Sequence, residues 1–156
     1  GFMLTRACRQ NGVEVETIPG PTAFVPALVN SGLPCERFVF EGFLPQKKGR
    51  STRLQELAQE ARTIIIYESP MRLAKTLREL ADVVGEDREA SVSREISKLH
   101  NSTHNGRVGE LAEYFALNNP KGEIVIVLSG KRSDKSAPKV HRNKFRPNPG
   151  ENGDED

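Results

Sequence analysis

Three short runs in this chain carry side chains whose types and spacing could do chemistry. In the first, Tyr67, Glu68 and Ser69 follow the β-branched run Thr63 to Ile66 and precede Pro70, so a phenol, a carboxylate and a hydroxyl sit where a strand gives way to a helix. In the second, Thr22 and Ala23 follow Pro19-Gly20-Pro21, a sequence that ends an extended segment and opens a helix whose first N–H groups are free for a ligand. In the third, Arg94, Glu95 and Lys98 collect around Ile96 just past an alternating segment. Open α/β sheets bind ligands outside the carboxyl ends of their strands, so the three runs are candidates for one rim. Each also has a plain reading, as a capped βα junction, a tight turn and a solvated charge cluster. A fourth run, Lys47, Lys48, Arg50 and Arg53, can bind phosphates, although a charge run of this kind is more often a solvated face.

The elements that must position these runs can be read from periodicity. Residues 2–11 suit an amphipathic helix ended by Gly12, and residues 13–18 (VEVETI) alternate as a strand. Thr22 is placed to cap a helix closed by Gly32 and Pro34. Phe38 to Phe43 is a short aromatic strand, and residues 52–61 form a helix with Leu54, Leu57, Ala58 and Ala61 inward. Ser69 and Pro70 start a helix to Val84, with Arg72, Lys75 and Arg78 outward and Gly85 as its stop. Residues 90–94 alternate as a strand, residues 99–105 as a second, polar one, residues 109–117 as a helix, and GEIVIVLSG as a buried strand. The fold class is α/β, a three-layer sandwich with a mixed sheet of about five strands flanked by helices.

Composition limits the functional classes. At 156 residues the chain suits one ordinary domain, and a net charge of +2 points to no partner by magnitude alone. No apolar run reaches membrane-span length, so no membrane partner is expected. Cys8 and Cys35 stand alone, which favours free thiols in a reducing, cytoplasmic compartment. His100 and His104 would share a strand face, but no third ligand type adjoins them, so no metal is expected. Residues 131–156 are basic first and acidic last, poor in apolar residues, and read as a disordered tail beyond a domain of residues 1–130. Because the chain begins inside a helical pattern without a starting methionine, it is read as part of something longer.

Taken in order and with natural spacing, residues 18–50 (IPGPTAFVPALVNSGLPCERFVFEGFLPQKKGR), TIIIYESPMRL, SREISK and KGEIVIVL resemble the C-terminal half of the bacterial ribosomal RNA small subunit methyltransferase I family, within the tetrapyrrole methylase superfamily. Asn101 and Ser129 depart from that family's pattern. The resemblance implies an S-adenosylmethionine-dependent enzyme that methylates a cytidine ribose 2′-hydroxyl in small-subunit ribosomal RNA. It implies two α/β domains with the cofactor in the cleft between them, acting as a homodimer, this chain being the C-terminal domain and inactive alone. Carried over by position, Thr22, Ala23, Tyr67, Glu68, Glu95 and Ile96 are the expected cofactor contacts. Lys47, Lys48, Arg50, Arg72, Arg94 and Lys98 are the expected RNA phosphate contacts. Transfer from a sulfonium is an in-line displacement that mostly needs alignment, with Glu68 or Glu95 as a carboxylate near the positive sulfur. No residue stands out as the base. A non-catalytic RNA-binding or dimerisation module and a tetrapyrrole methylase are the rival readings; the basic loop after Phe43 counts against the last.

Overall fold

A computed structural model of the protein describes residues 1–132; the proposed tail from residue 133 onward lies outside the described residues. Helix α1 (Phe2–Gln10) buries none of its residues. After it come α2 (Phe24–Asn30), β1 (Phe38–Phe43), α3 (Arg50–Gln59) and β2 (Thr63–Glu68). A single 3-10 turn (Pro70–Arg72) leads into α4 (Leu73–Val84), followed by β3 (Glu89–Arg94), β4 (Ser102–Arg107), α5 (Val108–Leu117) and β5 (Ile124–Leu128).

The five strands form one mixed sheet in the order β1-β2-β5-β3-β4. Among the described residues β1 and β2 form the one parallel pair; β5 runs against both β2 and β3, and β4 against β3. That direction of β5 organises the molecule. Its first residue, Ile124, pairs with Glu68 at the end of β2 and with Arg94 at the end of β3, so two strand ends and one strand start share a rim. Centrality follows composition: β2 and β5 are buried almost throughout, whereas the polar STHNGR of β4 and the aromatic FVFEGF of β1 lie at the edges.

The two faces are covered unequally. On one, α4 presents Leu73, Thr76, Leu77, Leu80 and Ala81 at helical spacing, and with α3 and α5 it closes the main core over Ile64, Ile66, Val92, Ile126 and Leu128. On the other, α2 alone lays Ala27 and Leu28 over Ile65, Val125 and Val127. The result is the expected α/β sandwich with one thin layer.

Several boundaries differ from the sequence reading. Residues 13–18 form no strand: Val13, Val15 and Ile18 are exposed and no strand among the described residues pairs with them, so alternation has nothing to bury against. The polar strand begins at Ser102 rather than Leu99, because residues 95–101 are spent on turns in which Glu95 and Ser97 take positive φ. This puts His100 in a turn and His104 on β4, not on one face of a shared strand. Helix α3 starts at Arg50 after Gly49 in the left-handed region, leaving Ala61 exposed beyond its end.

Candidate functional site

The rim where β2 and β3 end and β5 begins borders a cleft of about 490 Å³. Ala23 from the start of α2, Phe43 from β1, Tyr67 from β2, Pro70 after it, and Gly122 to Val125 leading into β5 form its walls. Two larger hollows lie elsewhere, about 590 Å³ along the exposed side of α1 and about 690 Å³ at the opposite end of the sheet. Neither adjoins the strand ends where a parallel βα unit presents its loops, so the rim cleft is the candidate site.

Neighbours in sequence face opposite ways here, because successive strand residues point to opposite faces. Tyr67 packs on the thin side with Ala23, Phe24 and Ile96 around Ile65 and Val125, and Ile96 reaches it from the turn after β3. Glu68 turns to the thick side, where its side chain is 1% exposed. One of its oxygens accepts from the Ser69 N–H at 2.6 Å and from Arg72 Nε at 2.8 Å, the other from Thr76 Oγ1 at 2.7 Å. Thr76 in turn accepts from Arg50 Nη2 at 2.8 Å, and Arg50 Nε binds Glu79 at 2.8 Å. Glu68 is therefore the anchor of a buried polar chain, and only its main chain and the β2–helix corner remain at the cleft. A sulfonium-facing carboxylate is corrected to a corner-holding one, since the side chain is buried and both of its oxygens already accept from protein donors.

Glu95 does a different job. Its backbone N–H donates to the Glu123 carbonyl at 3.0 Å, and its Oε1 accepts from the Glu123 N–H at 2.8 Å and from Lys98 Nζ at 2.9 Å. The N–H of Glu123, then Lys98, hold the Glu95 carboxyl below its ordinary range, and Lys98 bonded to Glu95 and Glu123 is raised above its own. Two non-glycine residues at positive φ, Glu95 at 50° and Ser97 at 66°, store backbone strain in this turn, the kind of distortion that concentrates at sites. Opposite them Gly122 has φ 96°, and a Cβ on it would lie 2.3 Å from the Glu95 side chain. The positive φ favours glycine, and a side chain at position 122 would displace the Glu95 carboxyl from its place against the Glu123 N–H.

Of the expected cofactor contacts, Ala23, Tyr67 and Glu68 line the cleft; Glu95 reaches it only through its bond to Glu123, Ile96 packs on the adjoining thin-side core, and Thr22 is exposed next to Ala23. Thr22 does not cap α2: the cap position is Ala23, in helical geometry, and no side chain bonds there. Ser69 does occupy the cap position before Pro70, but its side chain makes no capping bond there.

Of the basic residues, Lys47 and Lys48 are exposed and form no ion pair with the described residues. Arg50 is corrected to a core residue, 9% exposed, with its guanidinium bonded to the Pro45 carbonyl, Thr76 and Glu79. Arg72 folds back on Glu68 instead of pointing outward, Arg94 donates to the His100 carbonyl, and Lys98 is held between Glu95 and Glu123. Sequence reasoning passed over Phe43 and the Gly122-Glu123 turn, both at the cleft. A glycine two residues before a buried strand was the available signal for the turn. Among the described residues no group of three His, Cys, Asp or Glu side chains stands close enough to hold a metal ion, and no helix is long and apolar enough to cross a membrane.

Residues 1–112 match the family model for tetrapyrrole (corrin/porphyrin) methylases. The chain is 44% identical over 131 residues to ribosomal RNA small subunit methyltransferase I of Thermotoga maritima, covering 84% of this chain and 59% of that protein. It is 47% identical over 131 residues to the protein of the same name from Synechocystis, covering 83% of this chain and 47% of that one. The chain thus spans about half the length of these relatives. A crystal structure of uroporphyrin-III C-methyltransferase from Thermus thermophilus, complexed with S-adenosyl homocysteine, superposes with a TM-score of 0.57 at 20% identity, over 83% of this chain and 58% of that one. At that identity the likeness speaks for the fold.

Proposed function

Because the chain belongs to the tetrapyrrole (corrin/porphyrin) methylase family, we propose that it supplies the C-terminal domain of a methyltransferase that uses S-adenosylmethionine to methylate the 2′-hydroxyl of a cytidine in small-subunit ribosomal RNA. In this reading the complete enzyme is a cytoplasmic homodimer and this domain alone is inactive. The observation that carries it is the rim itself: residues from three separate parts of the chain converge on one cleft, in a protein whose relatives carry the name of a ribosomal RNA methyltransferase.

The cleft fits a nucleoside-sized cofactor. About 490 Å³ lies within the range of small-molecule sites, and its walls are apolar with a few main-chain groups at the strand ends. Thr22, Ala23 and Tyr67, the Glu68 main chain, and Glu95 with Ile96 are the proposed contacts. When bound, the cofactor supplies an electrophilic methyl group on a sulfonium. The chain's own residues supply alignment: the Glu68 chain fixes the β2 corner, the Glu95 latch fixes the Gly122-Glu123 turn against it, and the apolar packing of Ala23, Tyr67 and Ile96 keeps water from the wall. Lys47, Lys48 and Arg94 are the proposed phosphate contacts, with Lys98 and Arg72 available only by exchange from their carboxylates.

The test is tritiated methyl transfer by the complete enzyme to small-subunit ribosomal RNA, followed by nucleoside analysis. Label on a 2′-O-methylcytidine is the expected result, together with weak S-adenosylmethionine binding when this chain is titrated alone. Label on a porphyrinoid and none on RNA would establish the tetrapyrrole reading instead. RNA binding with no transfer to any substrate would leave a non-catalytic module.

A further inference from the structure

The aromatic strand β1 does more than close an edge of the sheet. Residues 38 and 40 share the thin face, and strict alternation would put residue 42 there and turn Phe43 to the thick one. A bulge intervenes. The register with β2 jumps from Phe40 opposite Ile65 to Gly42 opposite Ile66, leaving Glu41 unpaired, and Gly42 takes φ 68°, a conformation that glycine alone adopts without strain. The extra residue brings Phe43 round to the same side as Phe38 and Phe40. Its ring centroid lies 5.8 Å from that of Tyr67, which is 5.1 Å from Phe40, while Phe24 packs at 4.9 Å from Phe40 and 6.1 Å from Phe38.

The strip ends at the cleft, which Phe43 and Tyr67 wall, and its exposure rises toward it: Phe38 is 38% exposed, Phe40 46% and Phe43 62%. Four residues past Phe43 come Lys47 and Lys48, both exposed and without a carboxylate partner among the described residues, while the nearby Arg53 is neutralised by Glu41 and Glu56. Exposed rings that lead into a cleft, followed by unpaired cations, match a polyanion that also has π faces.

From this geometry we infer that the bulged strand β1, with Phe43 as its principal ring, is a stacking platform for unpaired bases of single-stranded RNA, whose phosphates meet Lys47 and Lys48. Stacking needs no particular base, so the platform delivers a strand to the cleft without choosing its sequence. The inference deepens the proposed function and rests on its RNA substrate.

The test separates stacking from mere apolar burial. Binding of a fluorescein-labelled single-stranded RNA to the chain is measured by anisotropy at several salt concentrations, with a parallel RNA carrying 2-aminopurine. Phe43→Leu should weaken binding about tenfold with the salt slope unchanged and should restore 2-aminopurine fluorescence, while Phe43→Tyr keeps both at wild-type level. Lys47→Ala should lower the salt slope by about 0.7. Thermal midpoints of the variants verify folding. Equal affinity for Phe43→Leu and wild type overturns the platform, as does a change in self-association by sedimentation without a change in RNA affinity, which would make the strip a protein interface. Methylation of small-subunit RNA by a complete enzyme carrying Phe43→Leu at the wild-type KM would overturn the platform and leave the proposed function standing. RNA stacking without any methylation would do the reverse.

Discussion

Tyr67 and Glu68 are adjacent residues on one strand, yet they belong to two differently built halves of the molecule. The face that Glu68 enters is closed by three helices, and even its polar groups are consumed: Glu68, Thr76, Arg50 and Glu79 bond to one another in sequence. The face that Tyr67 enters is covered by the seven residues of α2, and aromatic rings stay open to solvent beside a cleft. One set of strands therefore carries a closed core on one side and an open aromatic face beside a cleft on the other. A charged side chain's role depends on which side it reaches more than on its place in a basic or acidic run. Arg50 and Lys47 show this, three residues apart and with opposite fates.

The sharpest way to break that comparison is to damage the closed face. Leu77→Ala removes a fully buried side chain of α4 and should cost about 3 kcal/mol in urea denaturation; a loss no larger than that of a surface substitution would mean that the thick layer is not the scaffold. Next in size, Arg50→Ala strips a donor from Thr76 and Glu79 and should cost about 2 kcal/mol. Its salt dependence of RNA binding should match that of wild type; a shallower slope would return Arg50 to the phosphate contacts. The smallest effect belongs to the rim. The Glu95 carboxyl is depressed in the folded chain, so its contribution to stability is full above the ordinary carboxylate range and fades as pH falls through the depressed folded value, because the unfolded chain takes up the proton first. Glu95→Gln should therefore lower the urea midpoint at neutral pH and converge with wild type in acid. A gap that persists in acid would show that the latch does not depend on the charge.

Much of the architecture could be read directly from the chain. The helical spacing of Leu73, Leu77, Leu80 and Ala81, the stop at Gly85 and the apolar run of β5 announce their elements because burial on one stripe or both faces leaves a periodic trace. Residues 13–18 were misread for the converse reason: alternation marks a strand only if a neighbour pairs with it, and that partner is a tertiary fact. The rim of the candidate cleft was partly legible. Ala23, Tyr67, Glu95 and Ile96 flank visible element ends, whereas Gly122 and Glu123 matter only because β5 runs antiparallel and starts where β2 and β3 stop.

Local order in the sequence, then, determined where most helices and strands lie and which chain bends carry polar side chains, since propensity, capping and periodicity act over a few residues. Only the tertiary structure decided that Glu68 and Arg50 would be locked inside while Phe43 and Lys47 stayed outside. That choice depends on strand direction, on a single bulge at Glu41-Gly42, and on how many helices cover each face, and these are set by contacts between residues far apart in the chain.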